Sequence, residues 1–366
     1  MGEEKYARER LRSEAGGLVE RTFGPSSPRS RRMARVLRLT MYRTVGAWRP
    51  TSRGIHLARR AFDPGATWPP MRGTKFQRRV IGGVPVEWSV APRAQEAGSH
   101  ARVILYLHGG GFVVGSPRTH RNIVSRLSHV TATAVASVDY RMAPEASIQA
   151  SRADAYAVYK SLIESGYPAE GIVIAGDSAG GNLATYVTLA AMLNDLGTPA
   201  ALVLLSPWLD LTTGGPSRTA NAGTEFFIGG TVLDRIARVL VPDDDERHFW
   251  FNSPINAPEE LLSAMPPTLI QVGGAEVLAD DGVEMARRIG AAGGARVELQ
   301  TYDDQGHVVA LWAGTPEARR AIREIGVFLR ASLPKDLAFT PPTDAEIDEA
   351  AEATSPTDVG VEGFPG

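Results

Sequence analysis

From residue 102 onward the apolar positions keep to one repeating rhythm. Unbroken apolar runs at Val103–Leu107, Ala134–Val138, Gly171–Ala175, Leu202–Leu205, Thr268–Val272 and Val297–Thr301 predict strands covered on both faces. Helical stretches are expected between and after them, around Ala153–Ser165, Ala179–Leu193, Gly282–Ala292 and Pro316–Leu333. Strand followed by helix, repeated, predicts an α/β chain with a mostly parallel sheet and helices on both faces. Just before this region the period drops to two. Phe76–Ile81 and Val84–Val90 flank Gly82-Gly83, a hairpin pattern.

The two ends of the chain break the rhythm. Lys5 to Arg21 predicts a helix, stopped by Gly24-Pro25-Ser26-Ser27-Pro28. A second helix is expected from about Arg31 to Trp48. There Met33, Val36, Leu37, Met41, Val45 and Trp48 recur at helical spacing, with Arg31, Arg35 and Arg38 on another face. Residues 210–262 interrupt the strand–helix alternation and read as an insertion. Residues 334–366 are rich in Pro, Thr and acids with little to bury, and are expected to be disordered.

Composition narrows the chemistry. With 366 residues, 43% hydrophobic and 22% charged, the chain has ordinary globular make-up and can bury a large core. It has no Cys. That removes disulfides, thiolate metal sites and a cysteine nucleophile, and leaves Ser, Thr, Lys or a carboxylate for covalent chemistry. The formal net charge of −2 conceals an asymmetry: residues 1–72 carry +10 and residues 336–366 carry −8. Glu3 and Glu4 stand where a secretory signal would be basic, and no apolar run spans a membrane, so a soluble cytoplasmic protein is expected. The basic front could meet anionic lipid weakly. Its buried-looking Met and Trp do not form a stacking platform for nucleic acid, so no nucleic-acid partner is expected.

Two motifs carry the chemistry. Gly176-Asp177-Ser178-Ala179-Gly180 fits G-x-S-x-G, with Ile172 to Ala175 before it and a small-residue helix after it. Such an elbow holds a serine in a strained turn, and the helix start behind it favours developing negative charge. His108-Gly109-Gly110-Gly111-Phe112 follows the first buried strand. A His-Gly-Gly-Gly tetrad arises by chance in about one chain per hundred. Its glycines let backbone N–H groups face a reacting oxyanion, each donor worth roughly 2.7–4 kcal/mol. Gly109 and Gly110, with Ala179, are the expected donors; His108 and Gly111 shape the loop, and Asp177 supports it by hydrogen bonding.

A serine nucleophile needs a base and an orienting carboxylate, in the chain order Ser, acid, His. Of seven histidines, His307 lies in a polar loop after the last strand. His248, within the insertion, is the weaker candidate. For the acid, Glu276 falls in the loop after Thr268–Val272, whereas Asp280 is suited to cap the following helix. Asp210 is a third candidate. No metal or organic cofactor is required by this chemistry.

At these residues the sequence resembles the hormone-sensitive-lipase-like family of α/β-hydrolase esterases over roughly Val84 to Leu333. The resemblance rests on His108–Phe112, on Asp139-Tyr140-Arg141-Met142-Ala143-Pro144-Glu145 and on Gly176-Asp177-Ser178-Ala179-Gly180-Gly181-Asn182. It implies an α/β-hydrolase fold with nucleophile Ser178, base His307 and oxyanion donors Gly109, Gly110 and Ala179. The family's acid is usually an Asp in an Asp-Pro-Leu stretch, and this chain has Glu276-Val277-Leu278 there. It also reads Ala146 to Ala150 where the family shows a His and a Phe-Pro-Ala run. A helical cap built from residues 1–75 and 210–262 over a catalytic unit of 76–209 and 263–333 is implied, and so, by analogy, is a homodimer.

The expected activity is hydrolysis of short- to medium-chain carboxylic esters, the partner being a small-molecule ester. An acetyl-hydrolase or lactonase acting on one metabolite is the alternative. The gibberellin receptors of plants are similar to the family, and such a non-catalytic receptor is expected to lack the base that His307 supplies here.

Overall fold

The computed structural model describes residues 8–13, 17–65, 68–97, 102–212 and 214–333; the expected acidic tail, 334–366, lies outside them. Among the described residues ten strands form one sheet in the order β1-β2-β10-β9-β8-β7-β5-β6-β4-β3. From one edge to the other these are β1 (Arg8–Ser13), β2 (Leu18–Gly24), β10 (Val297–Tyr302), β9 (Thr268–Gly273), β8 (Ala201–Leu205), β7 (Ile172–Asp177), β5 (Val103–Leu107), β6 (Ala134–Val138), β4 (Val84–Val90) and β3 (Lys75–Ile81). All neighbours from β2 across to β6 run parallel. Strands β5, β7, β8 and β9 are buried at every residue, as the unbroken apolar runs predict.

Parallel neighbours end at the same edge of a sheet. The loops after β5, β7, β8, β9 and β10 therefore gather along one edge, which is where ligands meet open α/β sheets. Helices at Ile148–Glu164 and Ala179–Leu193 cover one face, and those at Arg121–Thr131 and Pro316–Ser332 cover the other. The helix Arg121–Thr131 had no clear sequence signal, and its buried Ile123, Val124 and Leu127 pack on Ile104 and Val135. Among the described residues no helix is long and apolar enough to cross a membrane.

The helix expected from Lys5 to Arg21 is not formed; strands β1 and β2 occupy its place among the described residues. Gly16 and Gly17 would sit inside that helix at about 1 kcal/mol each, and Gly17 adopts φ +81°. As a strand, β2 pairs with β10 from Leu18 to Phe23 and buries those two residues. Each such side chain contributes about 1.5–3 kcal/mol, more than helix propensity can offer. Part of the expected 1–75 helical segment is therefore sheet.

After β2 the chain turns towards the functional edge. The Ser26 hydroxyl donates to the Asp303 carbonyl (2.8 Å) and accepts from the Gln305 side chain. The helix expected from Arg31 to Trp48 runs as Pro28–Leu37, a π-helical turn Arg38–Tyr42, and Arg43–Ala47. Met33 and Leu37 pack towards Phe226 and Trp312, while Val36 and Leu39 stay exposed among arginines. Arg38 and Tyr42 donate to the Glu225 and Ala222 carbonyls at 3.0 and 2.9 Å, which ties this segment to the insertion.

Candidate active site

Ser178 stands between β7 and the helix Ala179–Leu193 with φ 53° and ψ −121°, a conformation that side chains seldom adopt. The turn is held by its backbone: Ser178 N–H donates to Leu205 (3.0 Å) and its carbonyl accepts from Trp208 (2.9 Å). A Cβ at Gly176 would overlap the Gly180 carbonyl, and one at Gly180 would overlap the Leu107 carbonyl. Only glycines let β5, β7 and the helix start close this tightly.

The loop after β5 lies beside this elbow. His108 is fully buried, stacked on Tyr140 (4.3 Å) and facing His120 (5.4 Å). Burial pushes its pKa down to about 3, so the imidazole is neutral and its Nδ1–H donates to the Gly109 carbonyl at 2.8 Å. The Tyr140 hydroxyl donates to the His108 carbonyl at 2.6 Å. These contacts belong to a residue that shapes a loop. Asp177 does the same from below: its Oδ1 accepts from the Tyr106 hydroxyl (2.7 Å) and from Gly109 N–H (3.0 Å), and its Oδ2 faces His120 Nε2 at 3.3 Å. Burial favours a neutral Asp177, but His120 and the Tyr106 hydroxyl outweigh it and hold the pKa below the ordinary value.

One sequence expectation changes here. The Gly109 N–H is directed at Asp177, not at a substrate, so Gly109 is not free to bind an oxyanion. Gly110 and Gly111, with φ +120° and +64°, follow it in the loop, and Ile236 of the insertion packs against Gly111. A Cβ at Gly110 would overlap the Val114 carbonyl. Gly110→Ala is therefore expected to displace the loop and lower kcat on a nitrophenyl ester by about 10²–10³-fold. An unchanged kcat in a folded variant would remove Gly110 from the site.

Glu276 and His307 meet across two loops. Glu276 is fully buried and His307 is 2% exposed. Glu276 Oε2 lies 3.1 Å from His307 Nδ1, and Oε1 accepts from Gly273 N–H at 3.2 Å. Gly273 permits the approach, because a Cβ there would press on the Gln305 and Gly306 carbonyls. Burial disfavours a charged imidazole. The hydrogen bond and charge of Glu276, then the charges of Glu225 and Asp177, outweigh that and raise the His307 pKa.

Ser206, which the sequence reading passed over, links this pair to the elbow. It follows β8 immediately, and its hydroxyl accepts the Val308 N–H at 2.9 Å. Both residues have positive φ, 46° and 51°, and for β-branched Val308 that is a strained state. Backbone strain on each side of one hydrogen bond fixes where His307 starts.

The other candidates lie elsewhere. Asp280 Oδ2 accepts from Ser217 N–H (2.6 Å) and fastens the insertion, rather than capping its own helix. Asp210 folds its own turn, accepting from Thr212 and Gly214 N–H groups at 2.7 and 3.2 Å. His248 is exposed, with Nδ1 on the Asp244 carbonyl. Residues missing from the sequence reading are Ser206, His120, Glu225 and Asp281. Asp281 is buried, its pKa pushed up to about 7 by burial, and it accepts from the Leu209 and Asp210 N–H groups. None of the four sits in a motif, so no sequence signal marks them.

Residues 104–311 match the family model described as alpha/beta hydrolase fold. The chain is 37% identical over 257 residues to an acetyl-hydrolase of Streptomyces hygroscopicus, covering 69% of this chain and 82% of that protein. It is 35% identical over 269 residues to a carboxylesterase/phospholipase of Mycobacterium tuberculosis, covering 72% and 71%. The crystal structure of an esterase from the bacterial hormone-sensitive lipase family superposes with a TM-score of 0.75 at 34% identity, covering 85% of this chain and 100% of that one.

Proposed function

This chain belongs to the hormone-sensitive-lipase-like family of α/β-hydrolases and is a carboxylic ester hydrolase, and from that premise we propose a Ser178–His307–Glu276 triad. The observation that carries the proposal is the buried Glu276–His307 bond of 3.1 Å, in a loop fastened to the strand end beside Ser178. Glu276 on Nδ1 selects the tautomer that leaves Nε2 free to take a proton.

In the first half-reaction His307 takes the Ser178 proton as Oγ attacks the ester carbonyl. The N–H groups of Gly110, Gly111 and Ala179 hold the oxyanion, since Asp177 takes up the Gly109 N–H. The imidazolium, steadied by Glu276, then protonates the leaving alcohol. Water activated by His307 hydrolyses the acyl-enzyme, and Ser178 regains its proton.

Ile236 beside Gly111 and Phe227 beside His307 put apolar surface next to the glycine loop and the base, which supports esters of short to medium acyl chains as substrates. The likeness to an acetyl-hydrolase supports acetyl esters as a narrower second reading. A series of nitrophenyl esters separates the two. On the first reading kcat/KM stays high from acetyl to medium chains and falls at least about tenfold for palmitoyl, a loss near 1.4 kcal/mol. A sharp maximum at acetyl favours the second reading, and a maximum at palmitoyl overturns both.

A further inference from the structure

A second buried carboxylate stands next to the base. Glu225, at the start of the Glu225-Phe226-Phe227 run in the insertion, has no solvent exposure. Its Oε1 accepts the N–H groups of Phe226 (2.7 Å) and Phe227 (2.8 Å). Its Oε2 is buried with no hydrogen-bond partner among the described residues. A buried carboxylate with one oxygen unpartnered is costly to keep charged. A glutamine would offer the two N–H groups the same acceptor without the charge.

Its surroundings indicate what it acts on. The segment before it is fastened to the acid loop: Asn221 donates to the Glu276 carbonyl (2.8 Å), and the Thr224 hydroxyl to the Ala275 carbonyl (3.1 Å). On the other side it meets the base loop. A Cβ on Gly306, the residue before His307, would come within 2.9 Å of Glu225 Oε1 and 2.6 Å of the Phe226 ring. The Phe227 ring stacks on His307 at 6.3 Å and 22°, and meets Trp312 edge-on at 5.5 Å. The insertion thus brings both a charge and an aromatic wall to one imidazole.

We propose that Glu225 is a positioning residue which holds Phe227 against His307 and, through its unpaired oxygen, sets how readily that imidazole takes a proton. The inference rests on His307 being the base. The ionisable groups around the imidazole are Glu276 from the loop after β9, Glu225 from the insertion and Asp177 from the elbow, and each of them favours its charged form. Around Glu225 they are His307, which favours the carboxylate, and Glu276, which opposes it; Arg38 reaches only the Glu225 carbonyl. Burial first, and then Glu276, push the Glu225 pKa up to about 7, so its charge changes in the range where the base itself works. As pH falls Glu225 takes up a proton, its pull on His307 disappears, and the base stays neutral to lower pH than it would beside a fixed charge.

The test is the pH dependence of kcat/KM on a soluble nitrophenyl ester for the wild type and Glu225→Gln. Glutamine keeps the acceptor for the two phenylalanine N–H groups but carries no charge. The acid limb is expected to move to lower pH by about half a unit or more, read from its midpoint whatever the plateau height. Superposed limbs, or a shift to higher pH, overturn the proposal. A purely structural role for Glu225 would change the plateau and leave the midpoint in place. If the glutamine variant does not fold, an NMR titration of the His307 ring in the wild type decides instead. Two inflections support the coupling, and a single one rejects it. Failure of the underlying assignment is separable: a His307→Asn variant that keeps its activity removes the base, whereas an inactive one with unshifted Glu225→Gln limbs removes only the role of Glu225.

Discussion

Ser178→Ala is expected to lower ester turnover by about 10⁴–10⁶-fold while the protein remains folded. The size of the effect follows from losing covalent catalysis altogether, since there is no Cys anywhere in the chain to substitute for the hydroxyl. Retention of the fold follows from how the elbow is built. Its contacts run through the backbone, Ser178 N–H to Leu205 and Trp208 N–H to the Ser178 carbonyl, and alanine preserves both. The positive φ is no harder for alanine than for serine. Turnover of a nitrophenyl butyrate substrate and a thermal melt measured on the same preparation give the answer. A folded variant retaining more than about a hundredth of the activity would mean that another group attacks the ester.

The second large effect separates two carboxylates four residues apart. Glu276→Gln is expected to lower kcat by about 10³–10⁴-fold, because an amide facing Nδ1 turns its N–H towards the imidazole and stabilises the wrong tautomer. Asp280→Asn is expected to cost less than about tenfold. Asp280 is bonded to Ser217 N–H in the insertion, so its loss loosens a loop attachment and leaves the imidazole's partner in place. The comparison is made on kcat for one ester at one pH. A larger loss in Asp280→Asn would reverse the assignment.

Legibility varied with the range of the cause. The strands β5 and β6 match the apolar runs read from the chain, β4 matches the period-two run before them, and the helix Ala179–Leu193 is also where it was expected, because each of these segments carries its own periodicity. Gly176 to Gly180 was readable for a related reason: close backbone approach demands glycine at fixed offsets from the serine. The first strands were not. Lys5 to Arg21 has helical composition, and only the partner edge of β10, nearly three hundred residues away, makes a strand of Leu18–Gly24.

What the sequence determined by itself was the alternation of strands and helices, the serine elbow, the glycine loop and the late histidine, since each is set by neighbours within a few residues. The tertiary structure decided which carboxylate faces His307, which glycine N–H group is taken by Asp177, and that Ser206 and Glu225 stand beside the His307 loop. Those relations depend on hydrogen bonds and desolvation between segments far apart in the chain. A carboxylate's role is written in what surrounds it, and only folding brings those surroundings together.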